Sequence, residues 1–379
     1  MKLLLEHGRV LCGSHLCDDL PILTEDDTIL AVGGEVGDLS QDVRRIDLHG
    51  LTVLPGLVDM HTHGRAGFDF TTASADEMRR MKRAYAEKGV TSVFATLASA
   101  TCKDWLRAIR DIQACGYEGI HLEGRFLNPT KRGAHNPALL VKPDAAELET
   151  YLQAIRIPCH VSAAYELDAD GSFAACARAH GATLGLGHTA ATADEARTAI
   201  ARGVDCFTHL FNAMSPLHHR EGGAVCVALE QPLWTELIVD GMHVCADMVR
   251  LTYHCKGAQR LILITDSMEA TGCADGEYAI AGERVIVRDG RAETLSGALA
   301  GSTLDLWQAV KNLMRMTGAP LEDAVRCATL NPATATGIAD RIGSIAADKR
   351  ADLLVVDRNL EICGVLAAGE EIVPIRGRA

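Results

Sequence analysis

The sequence predicts an α/β fold: a (β/α)8 TIM-like barrel with a small β-sandwich domain formed from both chain termini. Three observations predict it. Eight apolar runs alternate with amphipathic stretches between residues 51 and 264, each run is apolar over nearly its whole length, and both chain ends read as short strands. Strands that are apolar on both faces are typical of parallel sheets covered by helices. A doubly wound open sheet is the alternative that this pattern leaves open.

The barrel strands are predicted at the apolar runs, which are 52–60, 91–98, 119–122, 157–163, 182–186, 205–208, 236–239 and 261–264. Helices are predicted between them because many of the intervening stretches open with Ser, Thr or Asp and several close with Gly. These stretches are 74–88, 103–115, 143–155, 171–180, 192–202 and 246–257. A hairpin-like insertion at 281–295 and two more helices, at 302–317 and 321–330, complete the predicted barrel.

The two chain ends are predicted to form one domain. Short strands are expected at 2–5, 9–12, 28–33 and 43–47, and again at 342–346, 352–356 and 362–366. Both groups flank the barrel, so the economical arrangement is a single β-sandwich whose strands pair across the termini. The predicted domains are therefore residues 1–50 as the N-terminal part of the sandwich, 51–342 as the barrel, and 343–379 as the C-terminal part of the sandwich.

The composition excludes several classes of partner. The chain carries 37 Lys and Arg against 50 Asp and Glu, a net charge of −13, and has no block of basic residues. A nucleic acid or an anionic membrane surface needs a positive stripe, so neither is expected as a partner.

The 13 cysteines include no Cys-x-x-Cys pair, and the N-terminus lacks the apolar core of a signal peptide. No stretch is apolar enough to span a membrane. We expect a cytoplasmic protein with reduced thiols.

Residues that bind metals or move protons follow five of the apolar runs. Parallel barrel strands all end at one face, where catalytic groups collect. The residues at these ends are His61, His63, Glu123, His188, His209 and Asp266. Any one of them has a structural interpretation, such as a hydrogen-bonded core histidine or a helix cap. Their coincidence at one face favours a metal site instead.

Imidazole and carboxylate ligands without thiolate suit Zn²⁺, Fe²⁺, Mn²⁺ or a related divalent ion, and zinc is our first expectation. The set is large enough for one or two ions. Glu123 would bridge His61, His63 and Asp266 around one ion to His188 and His209 around the other. Such a site lowers the pKa of bound water to about 7 and polarises a carbonyl oxygen. The sequence therefore predicts metal-assisted hydrolysis.

The motifs between residues 53 and 356 resemble the amidohydrolase superfamily and, within it, the N-acetylglucosamine-6-phosphate deacetylases. PGLVDMHTH at 55–63 marks the superfamily, whereas HLEG at 121–124, GAHNP at 133–137 and THLFNAM at 208–214 are more specific to these deacetylases. Further matching stretches are LGLGHT at 184–189, VDGMHV at 239–244, ITDSM at 264–268 and LAGSTLD at 299–305. The resemblance implies an enzyme that removes the N-acetyl group of an amino-sugar phosphate.

The resemblance also implies roles for individual residues. Glu123, His188 and His209 match the firm metal ligands of the family, and Asp266 matches its proton-transfer residue. His135 would help the metal to polarise the acetyl carbonyl. Residues that would bind the sugar and its phosphate are Ala134, Asn212, Ala213, Arg220, His243, Leu299, Ala300 and Gly301. In the family the Arg and the His of this set reach across from a partner subunit, which implies a homodimer.

The chain departs from the family pattern in two loops. The family usually has Pro after HLEG and Pro-Gly after the phosphate-binding Arg-Glu, whereas this chain has Arg125 and Gly222-Gly223. Arg125 would add a positive charge beside the metal site. Arg65, after the HTHG turn, is also uncommon. These departures leave the hydrolytic residues in place but leave the identity of the sugar open.

Three other functions are alternatives to this one. A cyclic amidohydrolase usually bridges two metals with a carboxylated Lys at the end of the fourth strand, and Val161–Tyr165 contains no Lys. A deacetylase for another N-acetylhexosamine 6-phosphate, such as the galactosamine epimer, differs only in loop contacts. A non-catalytic barrel remains the alternative outside enzymes, although all six metal and proton-transfer positions are filled.

Overall fold

The computed structural model describes residues 2–34 and 43–376. Its centre is an eight-stranded parallel sheet in which each strand pairs with the next one along the chain. The eight barrel strands, numbered one to eight below, are Leu57–Thr62, Val90–Leu97, Gly119–Glu123, Cys159–Ala163, Thr183–Leu186, Cys206–Phe207, Trp234–Ile238 and Leu261–Ile264. The eighth lies beside the first, so the sheet curls into a barrel. The predicted (β/α)8 fold is confirmed, and the doubly wound sheet is excluded.

Helices cover the outside of the barrel in the eight predicted places, and two further helices, Gly223–Glu230 and Leu330–Ala335, were not predicted. The α-helices are Ala75–Ala86, Cys102–Ala114, Ala145–Ala154, Ser172–Ala179, Ala193–Ala201, Gly223–Glu230, Ala246–Arg260, Leu306–Thr317, Leu321–Cys327 and Leu330–Ala335. Short 3₁₀ helices lie at Pro129–Lys131, Pro137–Leu139 and Tyr165–Leu167. Ser74 and Thr192 each form a capping box with the Glu three residues later, which explains why their helices begin there. Among the described residues, no helix is both long and apolar enough to cross a membrane.

Strands from both chain ends form two further sheets. A four-stranded sheet has the order Thr28–Val32, Ile22–Glu25, Lys2–Glu6 and Val43–Asp47. A six-stranded sheet has the order Glu370–Val373, Ile362–Ala367, Leu353–Val356, Thr52–Pro55, Arg9–Cys12 and His15–Cys17, so N- and C-terminal strands pair directly. One apolar cluster joins the two sheets and contains Leu5, Ile22, Val53, Leu353 and Val355. The two sheets thus pack as the expected sandwich.

Two details of the terminal strands differ from expectation. The predicted run 52–60 is broken at Gly56: Thr52–Pro55 belongs to the sandwich, and the barrel begins at Leu57. A Cβ at Gly56 would lie 2.2 Å from Thr91 Oγ1, so the chain passes between the two units where no larger residue fits. The strand expected at 342–346 is absent, because Gly343 has a left-handed φ of 83° and the segment turns.

A three-stranded antiparallel sheet is inserted after the eighth barrel strand. Its strands are Gly276–Ile280, Glu283–Arg288 and Arg291–Thr294, and they extend the hairpin predicted at 281–295. A small apolar cluster that includes Ala134, Met268, Ile280 and Ala300 packs this sheet against the loops above the barrel. A two-stranded ribbon, Gly64–Arg65 with Phe68–Asp69, follows the first barrel strand. Both insertions lie at the end of the barrel where the predicted ligands collect.

Candidate metal centre and active site

The structure brings all six predicted metal ligands together at the C-terminal mouth of the barrel. His61 is on the first strand and Glu123 ends the third. The other four follow strand ends directly: His63, His188, His209 and Asp266. All six side chains are buried, and Asp266 is the most exposed residue of the set at 9%. The expectation that the strand ends share one site is thus met by the geometry.

Glu123 lies between two pairs of histidines. Its Oε2 is 3.1 Å from His61 Nε2 and 2.9 Å from His63 Nε2. Its Oε1 is 3.0 Å from His209 Nε2 and 3.4 Å from His188 Nε2. Asp266 Oδ1 completes the first group, 3.3 Å from His63 Nε2. Each carboxylate oxygen of Glu123 therefore belongs to a separate candidate ligand set, and the two sets share this one residue.

Hydrogen bonds on the outer ring nitrogens fix two of the imidazoles. His188 Nδ1 donates to the carbonyl oxygen of Lys131 at 2.7 Å. His61 Nδ1 donates to Glu236 Oε2 at 3.0 Å. A neutral ring that donates from Nδ1 keeps a lone pair on Nε2, the atom that faces Glu123 in both cases. These two histidines are held as the tautomer that a metal ion needs.

The donor atoms fit a divalent cation. The Nε2 atoms of His188 and His209 lie 3.1 Å apart. Glu123 Oε1, between them, is a buried oxygen without a hydrogen-bond partner among the described residues. The lone pairs of the histidine Nε2 atoms and the carboxylate oxygen repel one another when they converge in a buried space. A cation bound between them would remove this repulsion. Imidazole and carboxylate donors without thiolate suit Zn²⁺, Fe²⁺ or Mn²⁺.

The electrostatics keep both carboxylates ionised. Burial opposes ionisation of Glu123, but the neighbouring His61 outweighs it and holds the pKa of Glu123 well below its usual value. Burial likewise opposes ionisation of Asp266, and the hydrogen bond with His63 together with the charges of His61 and His63 lowers its pKa to about 2. The pKa of His135 is shifted well below its usual value by burial and by His188. Burial opposes protonation of His61 and His63, but the neighbouring carboxylates outweigh it and raise both pKa values, that of His63 to about 9. At neutral pH two ionised carboxylates thus face protonated His61 and His63, whose Nε2 protons a divalent cation would replace, and His135 is neutral.

The backbone at this mouth is strained in the same places. His188, His209 and Asp266 have positive φ values of 44°, 30° and 48°, and Ala213 follows with 49°. Residues other than Gly rarely adopt this left-handed region, which costs about 1–3 kcal/mol for each residue. Such strain clusters at functional sites. Here each turn of the chain brings a side chain back over the barrel axis.

A cavity of about 380 Å³ opens above the ligands, a volume typical of small-molecule sites. Most of the predicted substrate-binding residues line it, together with Lys131 and Thr130 from the loop after the third strand. The predicted substrate-binding residues in the lining are Ala134, Asn212, Ala213, His243, Leu299 and Gly301, and His135, predicted as catalytic, lines the cavity as well. His243 is oriented by Asp240, whose Oδ2 accepts from His243 Nδ1 at 2.6 Å. Most of the predicted sugar and metal residues therefore share one cavity.

Two predicted substrate residues lie outside this cavity. Ala300 is fully buried and packs behind the wall, in the apolar cluster with Ala134 and Met268. Arg220 is exposed on the loop before helix Gly223–Glu230, and its Nη1 is 2.7 Å from His219 Nε2. In the single chain, Arg220 is not part of the cavity. Its contribution to a partner's site stays a prediction.

The two unusual arginines pair with carboxylates, and neither lines the cavity. Arg125 pairs with Glu147 and donates from Nη1 to the carbonyl oxygen of Ala100 at 2.8 Å. Arg65 is buried and pairs with Asp305 at 2.6 Å. The expectation that Arg125 adds positive charge beside the metal site is therefore wrong, because Glu147 neutralises its guanidinium outside the cavity.

Two carboxylates that the sequence pattern does not single out orient site residues. Glu236 Oε2 accepts hydrogen bonds from His61 Nδ1 and from the backbone N–H of His209 at 3.1 Å, and so ties the first and sixth strands to the seventh. Asp240 holds His243. A carboxylate inside a strand that is otherwise apolar was the available signal for Glu236. For Asp240, no spacing rule would have distinguished it from a surface turn residue.

The amidohydrolase family matches residues 52–372, which is most of the chain. This chain belongs to that family. It is 33% identical to the N-acetylgalactosamine-6-phosphate deacetylase of Escherichia coli O157:H7, over 98% of this chain and 99% of the relative. It is 32% identical to the N-acetylglucosamine-6-phosphate deacetylase of Vibrio furnissii, over 93% and 91% of the two chains.

A solved structure of the family is similar over almost the whole length. It is a mutant N-acetyl-D-glucosamine-6-phosphate deacetylase from Mycobacterium smegmatis in complex with N-acetyl-D-glucosamine-6-phosphate. The TM-score is 0.91 at 35% identity, and the match covers 98% of this chain and 100% of the other. The resemblance to the N-acetylglucosamine-6-phosphate deacetylases is confirmed.

The shared position of Glu123 generates a prediction about metal content. Glu123→Gln should lower the metal bound per chain more than either His61→Ala or His188→Ala, because only Glu123 contributes an oxygen to both ligand sets. Elemental analysis of the dialysed proteins measures this. Glu118→Gln, which changes a carboxylate bonded to Arg350 away from the cavity, is the matched control and should keep the native content. An equal loss in the Glu123 and His188 variants would contradict the shared-ligand arrangement.

Proposed function

We propose that this chain hydrolyses the N-acetyl group of N-acetylglucosamine 6-phosphate, giving glucosamine 6-phosphate and acetate, with a bound divalent metal. The carrying observation is one buried carboxylate, Glu123, shared by four histidines beneath a cavity that Asp266 and His135 also line. The family and its named relatives support the same reaction. Zinc is the expected metal, and one or two ions per chain are compatible with the donor set.

A divalent cation held by these residues would lower the pKa of a water molecule and polarise an amide carbonyl. The carboxylate of Asp266, ionised at neutral pH, accepts the proton of the attacking water and delivers it to the departing nitrogen. His135 is neutral and donates a hydrogen bond to the carbonyl oxygen as that oxygen gains negative charge. Glu236 and the carbonyl oxygen of Lys131 keep His61 and His188 oriented throughout.

The phosphate end of the substrate is assigned to Asn212, Ala213 and His243 together with Arg220 from a partner subunit. Two large apolar side chains support an interface at this rim: Leu217, beside Arg220, is 46% exposed, and Met242, beside His243, is 42% exposed. The planar guanidinium of Arg suits phosphate oxygens. We therefore propose a homodimer. The 13 unpaired cysteines support a reducing, cytoplasmic location.

One observation supports a second candidate substrate. The relative from Escherichia coli that matches nearly the full length of this chain is named for N-acetylgalactosamine 6-phosphate. The two sugars differ only in the orientation of one hydroxyl group. That difference is sensed by cavity contacts, whereas the metal ligands are the same for both.

The proposed reaction is tested by acetate release on protein of known metal content. We expect faster release from N-acetylglucosamine 6-phosphate than from either N-acetylglucosamine or N-acetylgalactosamine 6-phosphate. Preference for the galactosamine epimer would replace the substrate but keep the reaction. Protein that purifies without metal and releases no acetate from any of the three would support the non-catalytic alternative.

Asp266→Asn should lower kcat by about 10²–10⁴, the usual contribution of a positioned acid or base, because an amide cannot accept the proton. Binding of the substrate, measured by calorimetry, should persist. Asp144→Asn is the matched control: Asp144 caps helix Ala145–Ala154, and Asn caps a helix equally well. Near-native turnover in the Asp266 variant would refute its role in proton transfer.

Arg220→Ala should raise KM for the phosphorylated sugar by about 10-fold or more while kcat changes little, because a charge-assisted contact to phosphate is lost. Arg197→Ala, which removes an arginine paired on an outer helix, should leave KM unchanged. Light scattering of both variants checks the dimer. If KM is the same for phosphorylated and free sugar in the native enzyme, Arg220 has no role in a phosphate site.

A further inference from the structure

His135 contacts one side chain that the proposed mechanism does not use, Ser99. This serine follows the second barrel strand and is 2% exposed. Its Oγ lies 2.9 Å from His135 Nδ1, and its backbone N–H points at the same nitrogen at 3.4 Å. A backbone N–H can only donate, so Nδ1 of His135 is an acceptor. The proton of the neutral ring must then reside on Nε2.

A second hydrogen bond sets the direction of the Ser99 hydroxyl. The backbone N–H of Arg125 donates to Ser99 Oγ at 3.1 Å. This occupies a lone pair of the hydroxyl oxygen and leaves the hydroxyl proton free to be donated to His135 Nδ1. Hydrogen bonds arranged in such a chain strengthen one another in a buried setting. The order of donation is therefore Arg125 to Ser99 to His135.

The loop after the third strand is built to make this contact. Gly124 has a φ of 152°, and a Cβ there would lie 2.5 Å from the backbone nitrogen of Ser99, so only Gly allows this close approach. The Arg125 side chain is held by Glu147 and by the carbonyl oxygen of Ala100. A proline at position 125 would have no N–H to donate. Arg125, which stands where the family usually has Pro, thus supplies the first donor in this series of hydrogen bonds.

The opposite edge of the His135 ring faces the candidate centre. His135 lines the cavity, and its Nε2 lies 4.0 Å from Glu123 Oε2. We infer that Ser99 is a positioning residue for His135, holding the imidazole as the tautomer that carries its proton on Nε2 and presents that proton to the substrate carbonyl. The catalytic role that this inference gives to His135 rests on the proposed function. The assignment of the tautomer does not depend on it.

The tautomer is tested directly by ¹⁵N NMR of the histidine-labelled, zinc-loaded protein, with the His135 signals assigned by their loss in His135→Gln. We expect the Nε2–H tautomer in the native protein and in Ser99→Thr, which keeps the hydroxyl. Ser99→Ala should shift the His135 signals toward a mixture of tautomers. A native ring protonated on Nδ1, or unchanged signals in Ser99→Ala, would overturn the inference.

Kinetics provide the second readout. Ser99→Ala should lower kcat about 10-fold, the value of one net hydrogen bond, with KM within about two-fold of native. In a His135→Gln background the same change should have no further effect, because Ser99 acts only through His135. If the double variant instead lost kcat by the product of the two single losses, the inference would be overturned. If Ser99→Ala does not fold, Ser99→Cys, which weakens the same hydrogen bond, should change kcat in the same direction.

Ser92→Ala is the matched control. Ser92 is a buried serine on the same barrel strand, and its Oγ accepts from Arg350 at the far end of the barrel. Its removal should leave kcat and the His135 signals unchanged. If the native protein releases no acetate from any amino-sugar phosphate, the proposed function fails, while the NMR result still decides the role of Ser99.

Discussion

The buried carboxylate of Glu123 is the constraint on which the rest of this structure depends. An ionised carboxylate inside a protein is costly unless positive charge and hydrogen-bond donors surround it. Four imidazoles from the first, fifth and sixth strand ends are placed to compensate it directly or through a shared cation. Their convergence requires a closed barrel, because an open sheet would separate the first and last strands.

The barrel supports this arrangement in two ways. Apolar residues of its strands and of the covering helices form one continuous cluster, which offsets the cost of the left-handed backbone at His188, His209 and Asp266. Buried polar groups then fix the side chains from behind: Glu236 beneath His61, the Lys131 carbonyl behind His188, and Ser99 behind His135. The reactive groups are thus oriented before any substrate enters, which is the condition for electrostatic catalysis.

Most of the fold could be predicted because it depends on local patterns. Strands buried on both faces are mostly apolar, and capping residues such as Ser74 and Thr192 mark helix starts whatever lies around them. The errors fall where tertiary contacts decide the outcome. The run 52–60 is divided at Gly56, where Thr91 and Asp352 leave no room for a side chain, and the chain turns at Gly343, where Thr329 and Ala333 also approach the backbone closely.

The sequence by itself determined the reactive residue types and the strand ends that carry them, because parallel strands must deliver their C-termini to one face. Only the tertiary structure decided which oxygen of Glu123 meets which histidine, that Glu236 and Ser99 support the site, and that Arg125 and Ala300 lie outside the cavity. The physical reason is the separation along the sequence of the groups that interact. Strand direction is set by neighbours in sequence, whereas hydrogen-bond partners such as His61 and Glu236 are 175 residues apart and meet only when the barrel closes.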